Sequence, residues 1–348
     1  MIPAFSDEIN ALLKRFDDIF DRHLRKFLEK RSNLYGMTQP PIDHLDRAAA
    51  YALGVDTPQR SGGKRIRPML CLLTAHYLGV PMREALPFAT AIEIMHNFTL
   101  VHDDIEDADK WRRGRLSVWS KYGFEHGINI GDFMQNLALR ALLDREANYT
   151  PEIRLALCSL MSETIEMTIR GQALDMDARK NPISMIRYRD IVVKKTGYCL
   201  AAPLTAAAII AKADDSVKNT LAQIGLTLGP LFQIRDDVID LTADKGRDEI
   251  GSDIREGKRS FLVAVVYEKG SDHDIKWLTN ILDKPRDENT KDEVDACRVL
   301  FEKYDAFNEA KRVCETFVQK TKSCLATLPT ELIEPLSFFI DSLAQRKV

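Results

Sequence analysis

Two short segments of this chain read D-D-x-x-D: Asp103-Asp104-Ile105-Glu106-Asp107 and Asp236-Asp237-Val238-Ile239-Asp240. On a helix, residues four apart stack one above the other, and the next residue is turned by about 100°. Each segment therefore aims two or three carboxylates at one region of space. Each also closes a strongly apolar stretch, LPFATAIEIMHNFTLV before the first and LTLGPLFQIR before the second. Carboxylates in a last helical turn oppose the helix dipole at a cost of about 0.3–1 kcal/mol each. Like charges stacked at four-residue spacing add a few tenths. A local conflict repeated twice in one form points to function. All-oxygen clusters suit hard cations, and Mg²⁺ typically joins a few carboxylates to substrate phosphates. The expected ligand is a Mg²⁺–diphosphate.

A phosphate site also needs cations, and four basic segments supply them. Gly62-Gly63-Lys64-Arg65-Ile66-Arg67-Pro68 opens a helix, where backbone N–H groups favour anions. Lys110-Trp111-Arg112-Arg113-Gly114-Arg115 follows the first acidic cluster, and Lys258-Arg259-Ser260 follows the second. Between the clusters lies Lys194-Lys195-Thr196-Gly197. Arginine forks suit bidentate phosphate contacts, and lysines act as point charges.

The elements that carry these residues read as helices. Apolar positions recur at three- and four-residue spacing over 6–30, 66–79, 86–107, 130–144, 151–172, 184–212, 216–241, 257–269 and much of 297–345. No Asn-Gly or Asp-Gly hairpin signal bounds a strand-like run, and Asp283–Glu293 reads as a solvated loop. The 348 residues, 45% apolar and 29% charged, give an all-α fold as one large domain over 1–348. Lys+Arg 49 against Asp+Glu 52 leaves a net charge of -3, which excludes a general nucleic-acid binder. Six scattered cysteines without C-x-x-C spacing read as free thiols of a reducing compartment. The charged N-terminus lacks a signal-peptide core, and no run is long enough to span a bilayer. A cytoplasmic protein is expected.

In order along the chain, GGKRIRP (62–68), HNFTLVHDDIED (96–107), RRG (112–114), GD (131–132), GQALD (171–175), KKTG (194–197), FQIRDDVID (232–240) and GSDIREGKRS (251–260) resemble the motifs of the trans-isoprenyl diphosphate synthases. The resemblance covers 62–260; 1–61 and 261–348 add only helical pattern, as flanks of the same domain. It implies helices around a deep central cavity with the acidic clusters facing each other across its mouth, in a homodimer. It implies three Mg²⁺ ions per site held by Asp103, Asp104, Asp107, Asp236 and Asp240, with Asp237 a further metal or lysine partner. Arg112, Lys195 and Lys258 would contact the allylic diphosphate. Lys64, Arg67, His96 and Arg113 would bind isopentenyl diphosphate. Gln172, Thr196 and Gln233 would line the reacting region. The implied reaction is ionisation of the allylic C–O bond, attack by the isopentenyl double bond and proton loss to the released pyrophosphate, with water excluded. One departure stands out: the family lysine before the G-x-D segment is Asp248 here, with Arg247 or Lys245 as substitutes.

In this family the product grows along the first acidic helix. Phe98, five residues before Asp103, would floor the cavity, with small Thr99 beside it and Met95 a turn deeper. That pattern resembles archaeal-type geranylgeranyl synthases and implies a C20 product, with C15 or a longer chain as alternatives. Three rival readings are a class I terpene cyclase, a di-iron bundle built on Glu93-x-x-His96, and a non-catalytic subunit of a heteromeric synthase. The basic 62–68 segment opposes the first, the lack of a second Glu-x-x-His pair opposes the second, and two intact acidic clusters oppose the third. His102 reads as a hydrogen-bonded orienting or merely flanking residue rather than a ligand. Trp111 and Trp119 read as partly buried neighbours of the phosphate site, and Arg346-Lys347 as a solvated tail.

Overall fold

The computed structural model describes residues 2–32, 44–58, 63–242 and 250–344. Among them the helical periodicity becomes α1 (Ile2–Ser32), α2 (His44–Ala52), α3 (Ile66–Tyr77), α4 (Met82–Glu106), α5 (Val118–Tyr122), α6 (Phe124–Leu143), α7 (Pro151–Ala178) and α8 (Met185–Val192). These continue as α9 (Tyr198–Ile210), α10 (Asp215–Thr242), α11 (Ser252–Arg255), α12 (Phe261–Lys269), α13 (Asp272–Leu282), α14 (Lys291–Lys303), α15 (Ala306–Leu325) and α16 (Thr330–Ala344). The all-α expectation holds. Lys245, Arg247, Asp248 and Arg346-Lys347 lie outside the described residues, as does Gly62.

Three local features differ from the sequence reading. Asp283–Glu293, read as a solvated loop, carries a 3₁₀ turn at Arg286–Glu288 and the capped start of α14 at Lys291. Trp111–Arg112 pairs antiparallel with Arg115–Leu116, in the register Trp111↔Leu116 and Arg112↔Arg115. The two residues between them, Arg113 (φ 55) and Gly114 (φ 72), are both left-handed, as a two-residue primed turn requires. Arg-Gly thus replaces the Asn-Gly or Asp-Gly signal, and the pair was not legible as a hairpin. The helix expected over 184–212 is interrupted by a π-helical turn at Val193–Gly197, where the Tyr198 N–H reaches back five residues to the Val193 carbonyl. Such an extra residue commonly marks a functional position in a helix.

The backbone gathers into two compact units. Unit 1 is Met1–Glu163 with Ala202–Ala222 and Leu328–Phe338; unit 2 is Thr164–Ala201 with Gln223–Thr327 and Phe339–Val348. In unit 1, α4 is buried from Ala85 through Met95, and again at Asn97, Phe98 and Val101. A helix apolar nearly all round must be a core helix, and α6 and α3 pack against it. Each large side chain it buries, such as Phe88 or Phe98, contributes about 1.5–3 kcal/mol. This anchors the helix whose last turn bears the first acidic cluster.

In unit 2 the corresponding anchor is α12, buried from Phe261 through Val266 and packed on α8, α13, α14 and α15. The α10 helix approaches the π turn along small residues: a Cβ on Gly229 would lie 2.5 Å from Gly197 Cα, and one on Gly225 2.2 Å from Ala201 Cα. Glycine is required at both close approaches. The apolar run 198–211 is mostly buried within the single chain.

Candidate active site

In unit 1 the first acidic turn ends α4 and the hairpin returns cations to it. Arg112 donates from Nε to Asp104 Oδ1 at 2.7 Å and again from Nη2 to the same carboxylate. Its Nη2 also reaches Asp109 at 3.4 Å. Asp104 and Asp109 are each only 2% exposed. Burial pushes the Asp104 pKa up to about 6, partly opposed by Arg112. Asp103 and Asp107, four apart, share a helix face beside this pair. Their all-oxygen chemistry fits a hard cation such as Mg²⁺.

A second group of cations surrounds His96. Burial holds its pKa well below the ordinary value, reinforced by the charges of Arg67, Arg113 and Arg112. The imidazole is therefore neutral at neutral pH. Arg67 is buried, and its Nε has no hydrogen-bond partner among the described residues. A buried donor left unmet costs about 1–3 kcal/mol, and an anion would recover it. Arg113 donates to Asn97 Oδ1 at 3.4 Å, and Asn97 in turn donates to Glu93 at 3.1 Å. The Arg113 guanidinium lies over Gly63, where a Cβ would be 2.6 Å from its Cζ. A small cavity of about 40 Å³ opens beside Asn97, Arg112 and Arg113. Lys64 is exposed. Arg65, counted from sequence with the phosphate cations, turns instead to Asp21 at 2.7 Å and Asp17 at 3.6 Å on α1.

Other unit 1 residues hold these groups in place. Arg115 bonds Asp56 at 2.7 Å and lies over the Tyr51 ring at 3.9 Å, and Lys121 sits 3.5 Å from the same ring. Tyr51 donates to the Leu116 carbonyl at 2.8 Å, so Asp56 and Tyr51 clamp the hairpin together. Trp119 donates to the Asp109 carbonyl at 2.8 Å, while Trp111 is 42% exposed. His102 lies 3.3 Å from the Ile128 carbonyl and against Gly131, where a Cβ would be 2.0 Å from its Nε2. Phe98 and Met95 are fully buried, with the Phe98 ring edge-on to His102 at 6.1 Å, and Thr99 bonds the His96 carbonyl at 2.8 Å.

In unit 2 the second acidic turn is organised differently. Asp237 is buried and accepts three bonds: from Tyr188 Oη at 2.8 Å, the Phe261 N–H at 2.8 Å and Gln233 Nε2 at 2.9 Å. Burial, helped by Asp253, still pushes its pKa up to about 7. Asp240 accepts from Ser252 Oγ at 2.8 Å and from the Asp253 N–H at 3.0 Å. Asp236, half-buried, shares its helix face with Gln233 and Asp240. The π turn brings Thr196 Oγ1 within 3.2 Å of Gln233 Oε1, and Lys195 within 2.8 Å of Asp175. Gly171 sets that distance, since a Cβ there would be 2.3 Å from the Lys195 nitrogen. Gln172 follows it on α7 and is half-buried. Lys258 pairs with Glu256 and lies 3.4 Å from Asp253.

Within unit 1, Arg67, His96, Arg112, Arg113 and the first cluster thus come together. Within unit 2, Thr196 and Gln233 join Asp237, and Lys195 and Lys258 are each held by acids. Asp104 and Asp237, expected as metal ligands or lysine partners, are engaged by Arg112 and by Tyr188, Gln233 and Phe261. Sequence reasoning missed Tyr188, Asn97 and the Tyr51–Asp56 clamp. Asn97 was legible in principle, four residues after Glu93; Tyr188 carries no spacing signal. The Glu93–Asn97 bond and the three arginines around His96 leave a cationic setting unsuited to iron.

The polyprenyl synthetase family model matches residues 51–300. A geranylgeranyl diphosphate synthase of Methanosarcina mazei is 36% identical over 247 residues, which cover 67% of this chain and 75% of the relative. A short chain isoprenyl diphosphate synthase of Methanothermobacter thermautotrophicus is 29% identical and covers 98% of this chain and 99% of its own. The crystal structure of a geranylgeranyl pyrophosphate synthetase from Pyrococcus horikoshii superposes with a TM-score of 0.83 at 28% identity, covering 98% and 99% of the two chains.

Proposed function

This chain belongs to the polyprenyl synthetase family, and from that premise we propose that it condenses isopentenyl diphosphate with an allylic diphosphate to give geranylgeranyl diphosphate. It is a trans-prenyltransferase with an all-α fold. The observation that carries the substrate assignment is the cationic group around neutral His96, with its unmet Arg67 donor, next to an acidic turn. A terpene cyclase, with one diphosphate to bind, has no use for it.

We assign the residues as follows. Lys64, Arg67, His96 and Arg113 bind the isopentenyl diphosphate, for which a neutral imidazole is a donor that adds no charge. Asp103, Asp107 and Asp236, with Asp240, would hold Mg²⁺. That metal supplies positive charge to the departing diphosphate. Arg112, held by Asp104, and Lys195 and Lys258, held by acids, add charge-assisted donors for the same leaving group. Thr196 and Gln233, fixed to each other and to Asp237, line the reacting region with Gln172. Phe98, Thr99 and Met95 limit the chain, and burial of Phe98 and Met95 makes a rigid floor. The homodimer expectation is supported by Phe124 and Ile128, exposed one turn apart on α6. No described helix is long and apolar enough to cross a membrane.

The purified protein with Mg²⁺, isopentenyl diphosphate and farnesyl diphosphate is expected to release a C20 diphosphate. No condensation with dimethylallyl, geranyl or farnesyl primers would refute the assignment. Phe98→Ala is expected to lengthen the product by at least one C5 unit; an unchanged chain length rejects the floor.

A further inference from the structure

Along α10 the residues divide into two stripes. Gln233, Asp236 and Asp240 form the one assigned above; Pro230, Ile234 and Asp237 form the other, at four- and three-residue spacing. Pro230 and Ile234 line a cavity of about 260 Å³ that lies wholly within unit 2. Val265 and Val313 complete its apolar wall, and Tyr188 and Phe261 form the side nearest Asp237. Those two aromatics meet edge to face at 5.7 Å. They are also two of the three groups that fix Asp237: the Tyr188 hydroxyl and the Phe261 N–H each donate to Oδ2 at 2.8 Å.

The rim decides what such a cavity would take. Lys269 is paired with Glu309 at 2.7 Å, and Glu268 accepts from the Met185 N–H at 3.1 Å. Arg189 lies 6.0 Å from the Phe317 ring centroid at the rim, exposed, and no carboxylate pairs with it among the described residues. Lys269 and Glu309 neutralise each other and Glu268 is engaged by the Met185 N–H, so Arg189 is the rim cation without a carboxylate partner among the described residues. An apolar chamber with that guanidinium at its edge matches a short apolar chain ending in an anion.

We propose that this cavity is a second ligand site, for an amphiphile with an apolar chain and an anionic head, and that its occupancy alters prenyl transfer through Tyr188 and Phe261. The chain lies along Pro230, Ile234 and Val313, and the head bonds Arg189. A ligand that displaces either aromatic moves the donors of Asp237 and, through Gln233, the Thr196 contact. The effect on turnover rests on the prenyltransferase reading; the binding does not.

Decyl phosphate is a suitable probe, since it has no allylic bond to ionise. Calorimetry on the full chain is expected to show one equivalent bound, weakened at least about tenfold, or about 1.4 kcal/mol, by Val313→Trp, which fills the chamber. Arg189→Glu, at the exposed rim, is expected to weaken decyl phosphate about fivefold or more while leaving decanol unchanged. It serves as the test should the tryptophan variant not fold. Arg189→Glu is expected to retain basal turnover within about twofold, whereas Val313→Trp, which occupies the chamber, is expected to change kcat in the same sense as decyl phosphate. In the wild type, decyl phosphate is expected to change kcat without competing with either substrate. Titration of geranylgeranyl diphosphate in chelator against dodecanoate then tells a reaction product from a fatty acid, the tighter of the two naming the source. Binding untouched by both variants, or inhibition relieved by excess allylic substrate, overturns the proposal. An absence of all condensation refutes the assigned reaction and leaves the calorimetry to decide the cavity.

Discussion

The two D-D-x-x-D turns are the same in sequence and opposite in chemistry. In unit 1 the middle aspartate is bound to a cation, Arg112, whereas in unit 2 it is bound to neutral donors. The surroundings follow the same division. Around His96, one buried arginine has an unmet donor and another reaches only an amide. Around the second turn, Lys195 and Lys258 already face carboxylates. The group around His96 therefore has cationic donors to spare for an anion. The second turn, with Asp236, Asp237 and Asp240 beside Asp253 and Glu256, is acidic, and on the proposed reading it takes a diphosphate only with metal ions. The shared motif fixes a position for the carboxylates; the neighbours decide what each turn binds.

The largest effect that could break this comparison concerns the outer aspartates, which should act alike despite their different settings. Asp103→Ala and Asp236→Ala are each expected to lower kcat by roughly 10³-fold, since removal of one group that stabilises developing charge costs about 10²–10³ or more. Chelation of Mg²⁺ should abolish turnover in the wild type. Steady-state kinetics at saturating substrate checks both. Near-wild-type turnover in either variant would remove that turn from the metal chemistry.

Next in size is the charge asymmetry itself. Isopentenyl diphosphate is expected to bind in the presence of chelator, and an allylic diphosphate to bind only with Mg²⁺. Arg67→Ala should raise KM for isopentenyl diphosphate by about 10–100-fold, as charge-assisted hydrogen bonds of about 1.5–3 kcal/mol would give. It should leave KM for the allylic substrate within about twofold. Equal metal dependence of the two ligands in calorimetry would erase the distinction.

The middle aspartates give a stability test. Asp104→Asn sets the lost Arg112 ion pair against the removal of a buried charge that the fold disfavours, and the two effects are expected to leave a net change within about 1 kcal/mol at pH 8. Asp237→Asn keeps an acceptor for Tyr188 and the Phe261 N–H, and should cost little there. The pH dependence has a definite sign. Both folded pKa values, about 6 for Asp104 and about 7 for Asp237, lie above the ordinary 3.8. Between pH 4 and those values the folded state holds more protons than the unfolded one, so these two groups lower stability as pH rises through the window. In metal-free buffer, Asp237→Asn should flatten the fall in melting temperature between pH 4 and 7 by roughly 2–4 °C. A steeper slope in the variant would reject the assignment.

The same contrast explains what was legible before the structure was known. Helices, acidic turns and the cationic segments 64–67, 112–113, 194–195 and 258 depend on local spacing, and a sequence displays spacing. What stayed hidden depends on contacts between distant segments. Nothing local assigns Arg65 to Asp21 on α1 rather than to a phosphate, or brings Tyr188 to Asp237 from 49 residues away. The π turn was invisible for a related reason: its five-residue bond is selected by close packing at Gly197, Gly229 and Gly171, not by helix propensity within KKTG.

The hairpin clamp is where the smallest effect is expected. Arg112 and Arg113 ride on a hairpin of two-residue strands, too short to stand alone. It is held from outside by Asp56 and by Tyr51, whose ring Lys121 also covers. Asp56→Asn removes one ionic contact to Arg115 whose partners are both partly solvated, with side-chain exposures of 22% and 27%. Such a pair contributes about 0.2–1 kcal/mol. The cation–π contact of Arg115 with Tyr51 remains and adds about 0.5–1 kcal/mol more. Asp56→Asn is therefore expected to lower the melting temperature by no more than about 3 °C. KM for isopentenyl diphosphate should rise by no more than about threefold, with kcat unchanged. Tyr51→Ala, which removes the ring and the bond to Leu116 together, should exceed both effects. If Asp56→Asn instead matches Arg67→Ala in KM, the single ion pair rather than the clamp as a whole positions the arginines.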